Sequence, residues 1–130
     1  MSNILKKSQE NLIAAQDLID KRRFTSSVHC SYYSVFQLMK YILHHKFSYD
    51  YNDQNCNSGQ DSHDAILTKI MQSCTRETFR RDFRDNFNHV KRERKRADYE
   101  ISMFSDIESI KVRDNAVSLI SKLKSEFQIK

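Results

Sequence analysis

The chain has 130 residues, a formal net charge of +5, one glycine and no proline. That length makes a single domain, residues 1–130, able to bury its own core without a disulfide or metal staple. So little glycine and proline excludes collagen-like, proline-rich and Gly/Ser-linker chains and points to helices.

The three cysteines, Cys30, Cys56 and Cys74, are odd in number and widely spaced. They form no Cys-x-x-Cys pair, which gives no redox or zinc reading and fits a reduced chain. The first residues show no secretory pattern. The most apolar stretch, around Val35–Leu43, is broken by Gln37 and Lys40 and is too short to span a bilayer. The expectation is a cytoplasmic protein that takes no part in a membrane, with no metal and no cofactor.

Ile4, Leu5, Leu12, Ala15, Leu18 and Ile19 fall at helical spacings and predict a first helix from about Ser2, its N-cap, to Asp20. A tight turn is expected near Lys21–Phe24. Val28, Tyr32, Val35, Phe36, Met39, Ile42 and Leu43, widened by Tyr33 and Tyr41, predict a broad-faced central helix over about Thr25–His45. The Asn, Asp, Ser and Gly content of Phe47–Gln60 predicts a long loop, with Gly59 inside it.

A short helix is expected over about Ser62–Met71, burying Ala65, Ile66 and Ile70. Thr75 reads as the cap of a long helix in which Phe79, Phe83, Phe87, Val90, Arg94 and Ala97 advance by three or four. Arg94 interrupts that apolar stripe. It must then be hydrogen-bonded or reach solvent at an edge, unless the stripe simply ends at Val90. Ser105-Asp106-Ile107-Glu108 is a capping box, and Val112, Ala116, Leu119, Ile120, Leu123 and Phe127 give the last helix its face. The expected fold is all-α: an up-and-down antiparallel four-helix bundle with an additional short helix.

Between Arg76 and Arg96 the chain holds nine basic and four acidic residues, which accounts for the whole net charge. The density peaks at Lys91-Arg92-Glu93-Arg94-Lys95-Arg96. Such a cluster attracts phosphates or an acidic partner. It also suits a solvated helix end with pairs such as Glu77 and Arg81. His44 and His45 end the central helix, His29 and Cys30 lie near its start, and His63 opens the short one. None has zinc-ligand spacing, and surface or structural roles are the simpler expectation.

Three segments carry a resemblance: Asn11-Leu12-Ile13-Ala14-Ala15-Gln16, then Ser26 through Phe36 with Tyr32-Tyr33 inside it, then Arg94-Lys95-Arg96-Ala97-Asp98-Tyr99. In that order and spacing the chain resembles the HEPN superfamily of small helical bundles. The likeness is to its stand-alone branch, with a central Tyr-Tyr helix and a late Arg-x-x-Ala-Asp-Tyr signature. The resemblance implies a HEPN-like fold and a homodimer that binds RNA, a nucleotide or a partner, through Lys91, Arg92, Arg94, Lys95 and Arg96. It also implies membership of a toxin–antitoxin or phage-defence pair, with a nucleotidyltransferase-like protein as a partner.

Many relatives in that superfamily are metal-independent endoribonucleases with an Arg, four to six residues, then a His. The His handles a proton and the Arg clamps the phosphate. Aligning Arg94 with that Arg puts Tyr99 where the His would stand. A tyrosine with a pKa near ~10 is a poor base at neutral pH, though it can donate a hydrogen bond or stack on a base. The candidate catalytic set is therefore Arg94, Asp98 and Tyr99. A literal Arg-x4-His at Arg84 and His89 is the alternative, although five residues along a helix turn the side chains about 140° apart. A protein-binding module without nucleic acid is the third reading.

Overall fold

The computed structural model describes residues 3–51 and 62–129. Among the described residues the chain is all-helical: α1 (Asn3–Asp20), α2 (Phe24–Phe47), α3 (Ser62–Gln72), α4 (Glu77–Tyr99) and α5 (Asp106–Phe127). No described helix is long and apolar enough to cross a membrane. The expected Ser2 cap and most of the expected Phe47–Gln60 loop lie outside the described residues; of that loop, Phe47 closes α2.

The broad apolar face read from α2 makes it the central element, and every other described helix packs against it. Val28, Tyr32, Val35, Met39, Ile42 and Leu43 are fully buried and join Phe83, Phe87 and Val90 of α4 and Leu119 and Leu123 of α5 in one core. Phe79, Phe83 and Phe87 stack in sequence along α4, at 5.4 and 5.9 Å between ring centres. Offset rings at such distances add to the gain from burial alone.

Where α1 crosses α2 the contact surface is small-sided. Ser27, Ser31 and Ser34 are fully buried, and Ser8 of α1 donates its hydroxyl to the Ser34 carbonyl at 2.6 Å. The Ser27 and Ser34 hydroxyls turn back to the carbonyls of Phe24 and Ser31. These bonds satisfy the Ser8, Ser27 and Ser34 hydroxyls, which would otherwise cost free energy when buried, whereas the Ser31 hydroxyl has no partner among the described residues.

With its single glycine at position 59, the chain closes helices with other residues. Arg22, Ser48 and Gln128 take φ of 62°, 55° and 57° at the ends of α1, α2 and α5. The residue after each donates its N–H back five or six residues, Arg23 to Leu18, Tyr49 to Leu43 and Ile129 to Lys124. These left-handed closures meet the last carbonyls of the helices in the way glycine usually does.

The capping box of α5 is present: the Ser105 hydroxyl accepts from the Glu108 N–H, and the Glu108 carboxylate accepts from the Ser105 N–H. The N-cap of α4 is Arg76, not Thr75, and no side chain caps it. Arg76 instead reaches Glu126 of α5 at 2.9 Å, so tertiary pairing fixes this end. The first-turn pair of α4 is Glu77 with Arg80, not with Arg81.

Candidate functional site

The apolar stripe of α4 does not end at Val90. Arg94 continues it into the interior, only 5% exposed. Its guanidinium carbon lies 4.9 Å from the centre of the Tyr32 ring, 5.8 Å from Tyr33 and 6.0 Å from Tyr99. One turn on, Asp98 accepts from Arg94 Nη1 at 3.5 Å. Arg94 Nε is buried with no hydrogen-bond partner among the described residues. Burial opposes the charge on Arg94, but the Tyr33 and Tyr32 phenols and the Asp98 carboxylate outweigh it and hold the group above its ordinary value. The cation is thus carried by aromatic faces and one carboxylate.

Asp98 has a second partner from another helix. Its carboxylate meets Nδ1 of His29, on α2, at 3.0 Å. His29 in turn lies against Tyr33 with 4.6 Å between ring centres. His29 and Asp98 stand in the wall of a groove of about 430 Å³ where α2 meets the end of α4, with Thr25, Ser26, Cys30 and Ala97 beside them. Half of the His29 side chain is exposed, and Arg94 is not part of the wall. Burial pushes the Cys30 thiol up, away from the reactive thiolate.

The same Tyr32 faces α3. Its hydroxyl is hydrogen-bonded to Nδ1 of His63 at 2.5 Å, and the His63 ring stacks on Phe36 at 4.3 Å. Asp64, the next residue of α3, pairs with Lys91 of α4, which is buried.

The basic run therefore divides. Lys91 is spent on Asp64 and Arg94 on Asp98. Arg96 pairs with Glu93 at 3.2 Å and Glu108 at 2.6 Å and lies 3.8 Å over the Phe104 ring. Burial opposes its charge, but the two carboxylates raise it above its ordinary value. Arg92 and Lys95 are exposed and make no ion pair among the described residues. Arg84 and His89 are both exposed on an unbroken α4, where, among the described residues, Arg84 pairs with Asp85 at 3.8 Å and no contact joins it to His89.

Arg94, Asp98 and Tyr99 are brought together at the C-terminal end of α4, although Tyr99 is 76% exposed. Further exposed apolar side chains follow it in the chain. Tyr99, Ile101, Met103, Ile107 and Ile110 make up five of the seven exposed large apolar side chains among the described residues. The corner is pinned to the start of α2, because the Phe104 N–H donates to the Thr25 hydroxyl at 2.9 Å.

Reading the sequence singled out Arg94 and Asp98 but not His29. The signal was there: His29 and Tyr33 share one face of α2 at i,i+4, as Arg94 and Asp98 share one face of α4. No group of three or more metal-ligating side chains occurs among the described residues. No known family, curated protein or solved structure matches the chain.

Proposed function

We propose that the chain is a HEPN-like domain, an up-and-down four-helix bundle with a short additional helix, that works as a homodimer and binds RNA beside the α2–α4 groove. One observation carries this reading. Arg92 and Lys95 stand exposed on α4, six and three residues before Asp98, while the other bases of the run serve the fold. Exposed guanidinium and ammonium groups on the helix whose end forms one wall of the groove are suited to phosphates, and the exposed Tyr99 ring to stacking on a base.

The homodimer is supported by the run of exposed large apolar side chains between Tyr99 and Ile110, a concentration that suits a protein contact. It adjoins the groove, so a second copy there would bring two grooves close together.

The test is binding of a fluorescein-labelled single-stranded RNA by anisotropy across a salt series. Binding should weaken as salt rises. Arg92→Gln and Lys95→Gln should each reduce the magnitude of the slope of log K against log salt by about 0.7. No RNA binding at low salt would leave only the protein-binding reading.

Metal-independent cleavage of the bound RNA is the second reading. The observation that favours it is an imidazole hydrogen-bonded to a carboxylate in the groove wall.

A further inference from the structure

We infer that the cavity between the start of α1 and the middle of α2 binds a small organic anion, an apolar body that carries a phosphate or a carboxylate. This cavity shares no wall residue with the α2–α4 groove, so the inference stands apart from the RNA-binding reading.

Helical spacing builds the wall. Tyr33, Phe36, Gln37 and Lys40 follow one another at short helical steps along one face of α2. Ile4 and Lys7 meet them from the first two turns of α1, and Tyr51 completes the wall. The space they enclose is about 390 Å³, within the range of small-molecule sites.

The apolar part of the wall comes from Ile4, Tyr33 and Phe36. The polar part is weighted toward donors. Lys7 and Lys40 bring ammonium groups, which donate and never accept. The Gln37 side-chain oxygen already accepts from Asn11 Nδ2 at 2.8 Å, which leaves its N–H groups for a ligand. The Tyr51 hydroxyl is buried and has no hydrogen-bond partner among the described residues. No carboxylate stands in this wall among the described residues. Donors in excess of acceptors, with two cations among them, match an anion and reject a cation.

Lys40 registers the local field. Burial, and after it the positive charge of Lys7, hold its amine below the ordinary value. Two like charges at one cavity repel each other, and an anion set in the cavity attracts both. Lys40 Nζ lies 5.9 Å from the centre of the Phe36 ring, so the charge stands where the polar and apolar parts of the wall meet. A matching ligand therefore carries its charge at one end, against the lysines, and covers Ile4 and the rings with the other. Lysine acts as a point charge, which suits a phosphate or a carboxylate head alike.

The experiment titrates the 15N-labelled full chain with phenyl phosphate, benzoate and inorganic phosphate at constant ionic strength. Amide shifts should centre on Ile4, Lys7, Gln37 and Lys40. The better of the two aromatic anions should bind at least about 10-fold more tightly than inorganic phosphate, because its body is buried with its head. Which of the two is tighter names the head group. Lys7→Gln and Lys40→Gln should each weaken binding by about 10-fold or more, and Tyr51→Phe should weaken it while keeping the ring. Lys7 is exposed, so its variant leaves the fold intact. Lys111→Gln, which removes an exposed cation of α5 outside the wall, should bind as the native chain does.

Inorganic phosphate bound as tightly as the aromatic anions overturns the inference, because the apolar wall then selects nothing. Shifts centred on α4, an unchanged affinity in Lys7→Gln, or no binding of any of the three probes overturns it as well. RNA binding is read by its own salt series, so either result can fail while the other stands.

Discussion

The Arg94 guanidinium carbon lies 4.9 Å from the centre of the Tyr32 ring, and neither group has more than a trace of surface exposed. An arginine at this depth is tolerated because flat aromatic faces replace water on its planes and Asp98 takes one of its edges. Arg94→Ala should therefore lower stability by about 2–4 kcal/mol, since it opens a cavity and leaves Asp98 with His29 alone. Arg94→Lys keeps the charge but loses the planar stack, and should fall between Arg94→Ala and the native chain. Urea unfolding of the three proteins checks the order; equal stability of Arg94→Lys and native would refute the role given to the rings.

The left-handed closures offer stability that the native sequence does not use. Ser48 and Gln128 carry side chains at φ of 55° and 57°. That conformation disfavours any residue with a Cβ, while glycine adopts it freely. Ser48→Gly and Gln128→Gly should each raise stability by about 0.5–1 kcal/mol after the unfolded-state entropy of glycine is deducted. Thermal melts of the single and double variants measure this; Phe47 and Phe127, the residues just before the two sites, pack edge to face at 5.8 Å, so the double variant also reads the coupling between them.

The capping box gives a stability change with a defined pH window. Removing the hydroxyl in Ser105→Ala should cost about 1 kcal/mol. Glu108 is held below its ordinary value of 4.5, first by the Ser105 backbone N–H and then by Arg96. A carboxyl group depressed in the folded state adds stability above its unfolded pKa and loses it as pH falls through the folded one. The gap between the native chain and Glu108→Gln should be full above about pH 5 and shrink below that. A gap that grew on acidification would contradict the pairing.

The exposed corner predicts self-association. Ile101 is fully exposed and Met103 nearly so, so charging them costs the fold little. Ile101→Asp with Met103→Lys should convert a dimer to a monomer in sedimentation velocity while leaving the circular dichroism spectrum unchanged. Monomeric native protein at high concentration would remove the homodimer from the proposal.

Much of this arrangement is written locally. The stripes of α2 and α4 and the Ser105–Glu108 box follow from spacing, because neighbours three and four apart on a helix are neighbours in space. The oddity of Arg94 was visible too, as a cation on an apolar stripe. What spacing could not show is which carboxylate from another helix meets which base. Lys91 looks like one more member of a charged run, and only the approach of α3 brings Asp64 to it. His29 and Asp98 stand 69 residues apart in sequence, and their pairing exists only once α2 and α4 are packed. The misplaced cap at Thr75 has the same origin, since that end of α4 is held by Arg76 and Glu126 across two helices.

Tyr32 gives one ring to two structural neighbourhoods. One side supports the Arg94 guanidinium and the hydroxyl grips His63. α3 itself lies outside the wall of the α2–α4 groove. A tyrosine that reads as core filling is thereby a splice, one ring joining the shortest described helix to the buried arginine that holds Asp98.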